Sequence, residues 1–130
     1  MILLDTHVAY WLLFDDKKIP EYIKDIINSQ EDEIYLSTIS LYEIECKHAK
    51  YPNEMIVNAE LMEKLAQEAH IKIIPFNPSS LYEYQLFSLQ KIHNDPFDLA
   101  LLSVCLDREM MFLTHDSKIK NYSGVPIIYF

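Results

Sequence analysis

The chain has 130 residues, half of them hydrophobic, and 11 basic against 20 acidic residues give it a formal net charge of −9. This length and composition predict a single globular domain spanning residues 1–130 and exclude intrinsic disorder, because the apolar content is sufficient for a buried core. The acidic balance argues against broad, non-specific adhesion to nucleic acid, although acids clustered in one site can bind cations that reverse the local field.

The sequence predicts a cytoplasmic protein without membrane contact. An acid, Asp5, follows only three apolar residues, which is unlike a secretory signal, and the longest apolar stretch, at 99–106, is too short to span a bilayer. Cys46 and Cys105 lie in apolar helical patterns without CxxC spacing. We therefore expect both cysteines to be core residues in a reducing compartment.

Hydrophobic spacing divides the chain into short strands that alternate with helices. The predicted strands are 2–4, 34–36, 71–74, 111–114 and 126–129. The predicted helices are 6–14, 20–28, 41–50, 56–69, 77–89 and 96–106, with a further helical turn ending at 122. Large apolar residues assigned to the core by their helical spacing include Tyr10, Trp11, Phe14, Ile56, Leu81 and Leu89.

This alternation predicts an α/β domain, in which helices cover both faces of a mainly parallel central sheet of four to five strands. The carboxyl ends of parallel strands, and the helix starts that follow them, lie along one edge of such a sheet, where ligand sites form. Four acids occupy these places: Asp5, Glu43, Asp98 and Asp116.

Helix capping is the structural alternative for these acids. Asp5 and Asp116 could cap the helices that follow them, and Ser40 with Glu43 matches the spacing of a capping box. Asp95 is a predicted N-cap, with Pro96 at the first helical position, and the apolar helix behind it is predicted to be buried.

Convergence of the four acids favours a metal site over capping alone. Two carboxylates about 4 Å apart at an effective dielectric of about 20 repel by roughly 4 kcal/mol, which exceeds the roughly 1 kcal/mol of a typical cap. Neutral Ser, Thr or Asn would cap without this repulsion. An all-oxygen site suits Mg²⁺ or Mn²⁺, which can activate a water and screen the charge of a phosphodiester.

Four motifs run from one end of the chain to the other: ILLDTH at 2–7, SLYEI at 40–44, HNDPFD at 93–98 and LTHD at 113–116. In this order and spacing the chain resembles the PIN domain, specifically the VapC-type toxins of bacterial type II toxin-antitoxin systems. The resemblance implies a three-layer α/β/α PIN-like fold. It also implies a metal-dependent endoribonuclease, in which water attacks the phosphodiester and the product carries a 5′-phosphate.

The resemblance also implies which residues are catalytic or bind the metal, and which molecules the chain binds. The catalytic and metal-binding positions would be Asp5, Glu43, Asp98 and Asp116, holding Mg²⁺ or Mn²⁺, with Asp95, Thr114 and Thr6 in support. The implied partners are a VapB-type antitoxin, an RNA substrate (tRNA, rRNA or mRNA) and a second copy of the chain within a toxin-antitoxin complex.

Two positions depart from the family pattern. Many relatives have arginine where this chain has Asn94 and Leu99, which removes expected phosphate contacts or salt bridges and leaves the carboxylates in place. Basic residues near the predicted edge remain available for RNA, and the positions predicted to contact it are Lys47, Lys50, His93 and Lys118. The alternative for each lysine is an ordinary solvated side chain.

Other interpretations stay open at the level of sequence. His7 and His115 adjoin the acids and are predicted to pack or form hydrogen bonds, and Trp11 with its aromatic neighbours could instead line a groove for an antitoxin helix. The alternative function is a non-catalytic PIN-like module that binds protein or RNA. Retention of all four mutually repelling acids favours the enzyme.

Overall fold

Five parallel strands form the central sheet in the computed structural model, which describes residues 1–130. The strands are β1 (Ile2–Leu4), β2 (Ile34–Ser37), β3 (Lys72–Ile74), β4 (Met111–Thr114) and β5 (Ile127–Tyr129). Their order across the sheet is β3-β2-β1-β4-β5, and every neighbouring pair is parallel. The prediction of a parallel α/β domain is therefore confirmed.

Seven α-helices connect the strands and cover the sheet. They are α1 (Thr6–Phe14), α2 (Glu21–Asn28), α3 (Thr38–Lys50), α4 (Ala59–Glu68), α5 (Pro78–Leu81), α6 (Tyr84–Ser88) and α7 (Pro96–Arg108). Short 3₁₀ turns occur at Asp16–Lys18 and Ile119–Asn121. None of the helices combines the length and the apolar character that crossing a bilayer requires.

Alternation along β1 places hydrophobic side chains on both faces of the sheet. Ile2 and Leu4 belong to a core beneath α1 to α4, whereas Leu3 belongs to a second core formed with α6 and α7. All three side chains are fully buried. Because both faces are covered, β1 is apolar throughout, as expected for a central parallel strand.

The order of the strands reverses between β1 and β4. From β1 the chain adds β2 and then β3 on one side, and it then crosses back to add β4 and β5 on the other. Asp5 immediately follows β1 and Asp116 follows β4 by two residues, so both lie at this reversal. Open parallel sheets bind ligands at such a switch point.

Two helices differ from the sequence prediction, one in its start and the other in its continuity. The side chain of Asn58 accepts a hydrogen bond from the backbone of Leu61, so α4 begins at Ala59 and Ile56 lies outside it, 62% exposed. The helix predicted at 77–89 is interrupted between α5 and α6. Leu81 is the last residue of α5 and Leu89 follows α6, and both are exposed, so their assignment to the core is wrong.

Helix α3 corrects two further predictions. Its N-cap is Ser37, whose hydroxyl accepts from the backbone of Ile39, so the capping box predicted for Ser40 and Glu43 is wrong. Cys46 is exposed, whereas Cys105 is buried as predicted. Cys46 lies two positions beyond the buried Ile44, about 200° around the helix, which turns it towards solvent.

Candidate active site

The carboxyl ends of β1 and β4 open into a cleft of about 500 Å³. Its lining includes five acids: Asp5, Glu43, Asp95, Asp98 and Asp116. The four acids singled out in the sequence thus lie in one cavity, although they come from four separate parts of the chain. Trp11, Phe97 and His115 supply aromatic walls, and Lys47 is the lysine that lines the cleft.

Asp5 is held at the floor of the cleft by a hydroxyl from the neighbouring strand. The Thr114 Oγ1 donates a hydrogen bond of 2.6 Å to Oδ2 of Asp5, whose residue is only 5% exposed. Burial raises the pKa of Asp5, and the bond from Thr114 opposes that rise. Asp5 occupies the N-cap position of α1 without making a side-chain cap bond, so the capping alternative does not account for it.

Asp98 stands in the first turn of the buried helix α7. The carboxylate of Asp95 caps this helix by accepting from the backbone amides of Phe97, at 2.9 Å, and Asp98, at 3.4 Å. The helix cap Asp95 and the candidate metal ligand Asp98 therefore lie in the same turn. Because most of α7 is buried, the position of Asp98 is fixed by the packing of the whole helix.

A hydrogen-bonded chain of three side chains supports Asp98. Its Oδ2 lies 2.9 Å from Nε2 of His93, and Nδ1 of His93 lies 2.6 Å from the hydroxyl of Tyr122. Burial raises the pKa of Asp98 to about 7, with smaller increases from the charges of Asp5 and Asp95, while His93 acts in the opposite direction. Asp98 therefore binds a proton or a cation far more readily than a solvated aspartate.

Glu43 carries an unsatisfied oxygen. Its Oε2 lies 2.9 Å from Nζ of Lys47, but Oε1 is buried and has no hydrogen-bond partner, the one such side-chain atom in the chain. Leaving a buried charged acceptor unpaired costs at least about 1–3 kcal/mol. A cation or its bound water in the cleft would satisfy this oxygen, so the donor set fits a metal ion.

His93, Asp98 and Asp116 come closest to the spacing of a coordination sphere. One potential ligand atom from each lies within 4.8 Å of the other two. Opposite ligands of an octahedral Mg²⁺ are about 4 Å apart, because each bond is about 2.0–2.1 Å. Asp116 is itself oriented by Thr114, whose hydroxyl accepts from its backbone amide at 3.0 Å.

The residues predicted to contact RNA are placed differently from one another. Lys47 lies in the cleft, while Lys50 stands over the ring of Tyr51 and Lys118 is exposed outside the cavity. His93 has partners on both ring nitrogens, so its observed place is beside Asp98. The Thr6 hydroxyl donates to Ser40, at 2.9 Å, and reaches no carboxylate.

The aromatic residues at the site differ in how far the sequence predicts them. Tyr122 follows a 3₁₀ turn, and no spacing in the sequence links it to His93, 29 residues earlier. Trp11, predicted either to pack in the core or to line a groove, is half-buried against the core and also lines the cleft, while Phe14 on the same helix is exposed. His115 packs against Trp11 and bonds to the carbonyl oxygen of Phe130, as predicted for a packing histidine.

Comparison with solved structures identifies the same fold in three VapBC complexes. TM-scores are 0.73 for VapBC from Salmonella typhimurium bound to DNA and 0.72 for VapBC2 from Rickettsia felis bound to a DNA fragment from its promoter. VapBC-1 from nontypeable Haemophilus influenzae gives 0.71. The matches cover 98–99% of this chain and 96–98% of the others, at 15%, 17% and 19% sequence identity respectively.

At these identities the structural likeness establishes the fold alone. Comparison of the sequence with curated proteins gives no match. The sequence profile of the PIN domain, in contrast, matches residues 2–125, nearly the whole chain. The chain therefore belongs to the PIN domain family.

Proposed function

We propose that the chain is a metal-dependent endoribonuclease and the toxin of a VapBC-type toxin-antitoxin system. The observation that carries the proposal is the unpaired, buried Oε1 of Glu43, a residue that lines the same cleft as Asp5, Asp98 and Asp116. A site without a cation would leave these charges unbalanced except for Lys47 and His93.

The residues proposed to hold the metal are Asp5, Glu43, Asp98 and Asp116, and the ion would be Mg²⁺ or Mn²⁺ because every one of these donors is a carboxylate oxygen. When bound, such an ion supplies an activated water and charge neutralisation at a phosphodiester. Thr114 orients Asp5 and Asp116 through its two hydrogen bonds, and Asp95 fixes the first turn of α7, which carries Asp98.

The protonation of Asp98 and its contact with His93 affect how the site binds a cation. With a pKa of about 7, Asp98 is protonated in an appreciable fraction of molecules near neutral pH. It must lose that proton to serve as a ligand, and a bound cation would favour the loss. Tyr122 holds the imidazole of His93 beside Asp98 from its opposite nitrogen.

The direct test is RNA cleavage by the purified chain. Transfer RNA, ribosomal RNA and messenger RNA are incubated with Mg²⁺, with Mn²⁺ or with EDTA, and the product ends are examined for 5′-phosphate. We expect cleavage with either ion, none with EDTA, and a loss of at least about 100-fold in Asp98→Asn. Asp25→Asn, an exposed aspartate on α2, is the matched control and should cleave normally.

The alternative function, a non-catalytic binding module, makes the opposite prediction. A chain that binds RNA or protein but cuts no RNA under any metal condition, and whose Mn²⁺ affinity is the same in wild type and Asp98→Asn, would support that module and overturn the enzyme. The unpaired Glu43 oxygen favours the enzyme, because a retired site has no need of it.

The toxin role rests on the fold shared with VapBC complexes and on the sequence motifs. The proposed partner is a VapB-type antitoxin, in a complex that also contains a second copy of the chain. Induction of the chain alone should arrest bacterial growth, and co-expression of a small reading frame from the adjacent locus should restore it. If the arrest persists in Asp98→Asn, it does not arise from cleavage.

A further inference from the structure

Two loops meet beside His93. One loop, residues 89–95, joins α6 to α7 and carries His93, and the other, residues 122–126, precedes β5 and begins with Tyr122. The backbones of the two loops exchange no hydrogen bonds with each other. Every hydrogen bond between the loops involves the side chain of Gln90 or of Tyr122.

The side-chain amide of Gln90 pairs with the backbone of Ser123. Nε2 of Gln90 donates to the carbonyl oxygen of Ser123 at 3.0 Å, and Oε1 accepts from the backbone amide of Ser123, also at 3.0 Å. Nε2 also donates to the carbonyl oxygen of Leu86 at 3.2 Å, and Oε1 also accepts from the hydroxyl of Ser123 at 3.3 Å. Because two donors and two acceptor positions are all that a glutamine amide offers, Gln90 is fully satisfied in this one orientation.

Tyr122 makes the reciprocal contact with His93. Its hydroxyl accepts from the backbone amide of His93 at 3.3 Å and lies 3.2 Å from the carbonyl oxygen of the same residue. The hydroxyl is closest, at 2.6 Å, to Nδ1 of the imidazole. A side chain from each loop thus contacts both backbone groups of one residue in the other loop. We call Gln90, Ser123, Tyr122 and His93 the loop clasp.

Left-handed backbone lies next to the loop clasp in both loops. Lys91, which follows Gln90, has a φ of 55°, and Gly124, which follows Ser123, has a φ of 106°. Gly124 is the only glycine of the chain, and its backbone conformation is one that glycine adopts without steric cost. The left-handed conformation of Lys91 is strained, and it persists only where surrounding contacts fix it. The loop clasp supplies such contacts on both sides.

Phe87 supports the ring of Tyr122 from the same stretch of chain as Gln90. The rings of Phe87 and Tyr122 meet edge to face with centroids 6.1 Å apart, and both residues are buried. Gln90 follows Phe87 by three residues, and its backbone amide donates to the Phe87 carbonyl oxygen at 3.1 Å. Tyr122 is therefore held by its ring against Phe87 and by the backbone of the next residue against Gln90.

We propose that Gln90 is a positioning residue of the site, which acts on the ring of His93 through Tyr122. Because Ser123 is held, the hydroxyl of Tyr122 stays at Nδ1 of His93. Nε2 of the same ring is thereby directed to Oδ2 of Asp98, 2.9 Å away. Removing a residue that orients a metal ligand commonly lowers metal affinity or activity by about 10- to 100-fold. The inference rests on the proposed function, because this orientation affects catalysis only if Asp98 holds a metal.

NMR signals of the His93 ring nitrogens test the loop clasp in the metal-free protein. The variant His93→Gln identifies these signals among those of the five histidines. Gln90→Met keeps the length of the side chain and removes both bonds to the backbone of Ser123, so it should shift the His93 signals and expose the ring N–H to exchange with water. Ser123→Ala keeps the backbone groups that Gln90 binds and should retain the wild-type signals. Gln85→Met, an exposed glutamine on α6, is the control for the substitution itself.

A double-mutant cycle tests whether Gln90 acts through His93. Gln90→Met should lower the Mn²⁺ affinity measured by calorimetry by about 10-fold, and kcat for one defined RNA by a similar factor with little change in KM. In the background of His93→Ala, the same substitution should change either quantity by less than about 2-fold, because the ring on which Gln90 acts is gone. A merely structural loss would instead add to the effect of His93→Ala.

Amide hydrogen exchange of the wild-type protein tests the loop clasp without any substitution, and so covers the case in which Gln90→Met does not fold. Ser123 is exposed, and the only acceptor for its backbone amide is Oε1 of Gln90. We expect this amide to exchange at least about 10-fold more slowly than an exposed amide without an acceptor.

Three outcomes overturn the proposal. They are His93 signals that are unchanged in folded Gln90→Met, a full effect of Gln90→Met in the background of His93→Ala, and exchange of the Ser123 amide at the unprotected rate. The NMR and exchange measurements require neither metal nor cleavage. A chain that cuts no RNA, but in which Gln90→Met shifts the His93 signals, would contradict the proposed function and leave the loop clasp as part of the fold. Normal RNA cleavage by Gln90→Met with unshifted His93 signals would overturn the role of Gln90 alone.

Discussion

The hydroxyl of Thr114 and the carboxylate of Asp5, 109 residues apart in the chain, are joined by a buried hydrogen bond of 2.6 Å. The same hydroxyl accepts from the backbone amide of Asp116 at 3.0 Å. Thr114 thereby links the ends of the adjacent strands β1 and β4 and sets the separation of two candidate metal ligands. Thr114 therefore both stabilises the contact between β1 and β4 and positions candidate metal ligands.

Replacing Thr114 with valine preserves its shape and removes both bonds. We expect Thr114→Val to lose about 1–3 kcal/mol in the free energy of unfolding, since Asp5 is left buried without its donor. Its Mn²⁺ affinity should also fall, by about 10-fold, because the orientation of two ligands is lost. Denaturant unfolding and calorimetric Mn²⁺ titration measure the two effects.

Ser103→Ala is the control for Thr114→Val. The Ser103 hydroxyl is equally buried and donates to the carbonyl of Leu99 within α7, and it bonds to none of the acids. This variant should lose stability and keep its Mn²⁺ affinity. If Thr114→Val binds Mn²⁺ as tightly as Ser103→Ala does, Thr114 has only a structural role.

The raised pKa of Asp98 makes the stability of the metal-free protein depend on pH. The folded chain holds this proton up to about pH 7, whereas an unfolded aspartate releases it near its ordinary pKa of 3.8. The contribution of Asp98 to the free energy of unfolding is therefore fully present below about pH 4. It is lost as the pH rises to about 7, because the folded protein must then hold a buried charged carboxylate. In EDTA at pH 8, Asp98→Asn should melt about 5 °C above wild type.

Thermal melts at pH 5 and pH 8 test this difference in melting temperature between Asp98→Asn and wild type. The difference should be smaller at pH 5, because wild-type Asp98 is then largely protonated and resembles the amide. Added Mn²⁺ should reverse the order at pH 8, because binding to the folded state stabilises the protein that retains the ligand. A wild-type protein that is the more stable of the two in EDTA at pH 8 contradicts the assignment.

His93 and Lys118 should have opposite kinetic signatures, although both were predicted from the sequence to contact RNA. His93→Ala should lower kcat by about 10- to 100-fold with little change in KM, since His93 acts by holding Asp98. Lys118→Ala should raise KM with kcat retained, as expected for an exposed phosphate contact. Steady-state cleavage of one defined RNA distinguishes these effects, and a raised KM with unchanged kcat in His93→Ala would place its ring on the substrate.

Lys47 should compete with the metal for Glu43. Lys47→Met removes the cation 2.9 Å from Oε2 and leaves a buried carboxylate uncompensated, so the metal-free variant should be about 1–3 kcal/mol less stable than wild type. Mn²⁺ should then stabilise the variant more than it stabilises wild type. Lys72→Met is the control, because it removes the lysine from an ion pair with Glu33 that is exposed to solvent. Its loss of stability and its extra stabilisation by Mn²⁺ should both be small.

Much of the fold follows from local sequence. The short apolar runs around Leu3 and Phe112 have no polar face, which is what a strand covered on both sides requires. The places of Asp5 and Asp98 follow equally well, because parallel strands bring their carboxyl ends, and the helix starts behind them, to one edge. Asp95 and Pro96 mark the start of α7 by their cap chemistry.

The rest depends on contacts between distant segments. The bond between His93 and Tyr122 joins two loops that no periodicity relates, so the sequence does not predict that His93 lies beside Asp98. Cys46 was assigned to the core because apolar composition does not by itself fix which side of α3 faces inwards. The break between α5 and α6, beside which Leu81 and Leu89 are exposed, has no glycine or proline to mark it.

The central claim is that the acids of the cleft hold a divalent cation, and a crystal structure determined with Mn²⁺ tests it most directly. We expect an anomalous peak in the cleft, within bonding distance, about 2.0–2.3 Å, of carboxylate oxygens from Asp5 and Asp98, with Oε1 of Glu43 bound to the ion or to one of its waters. A well-ordered cleft without such a peak at saturating Mn²⁺, with Oε1 of Glu43 still unpaired, would contradict it.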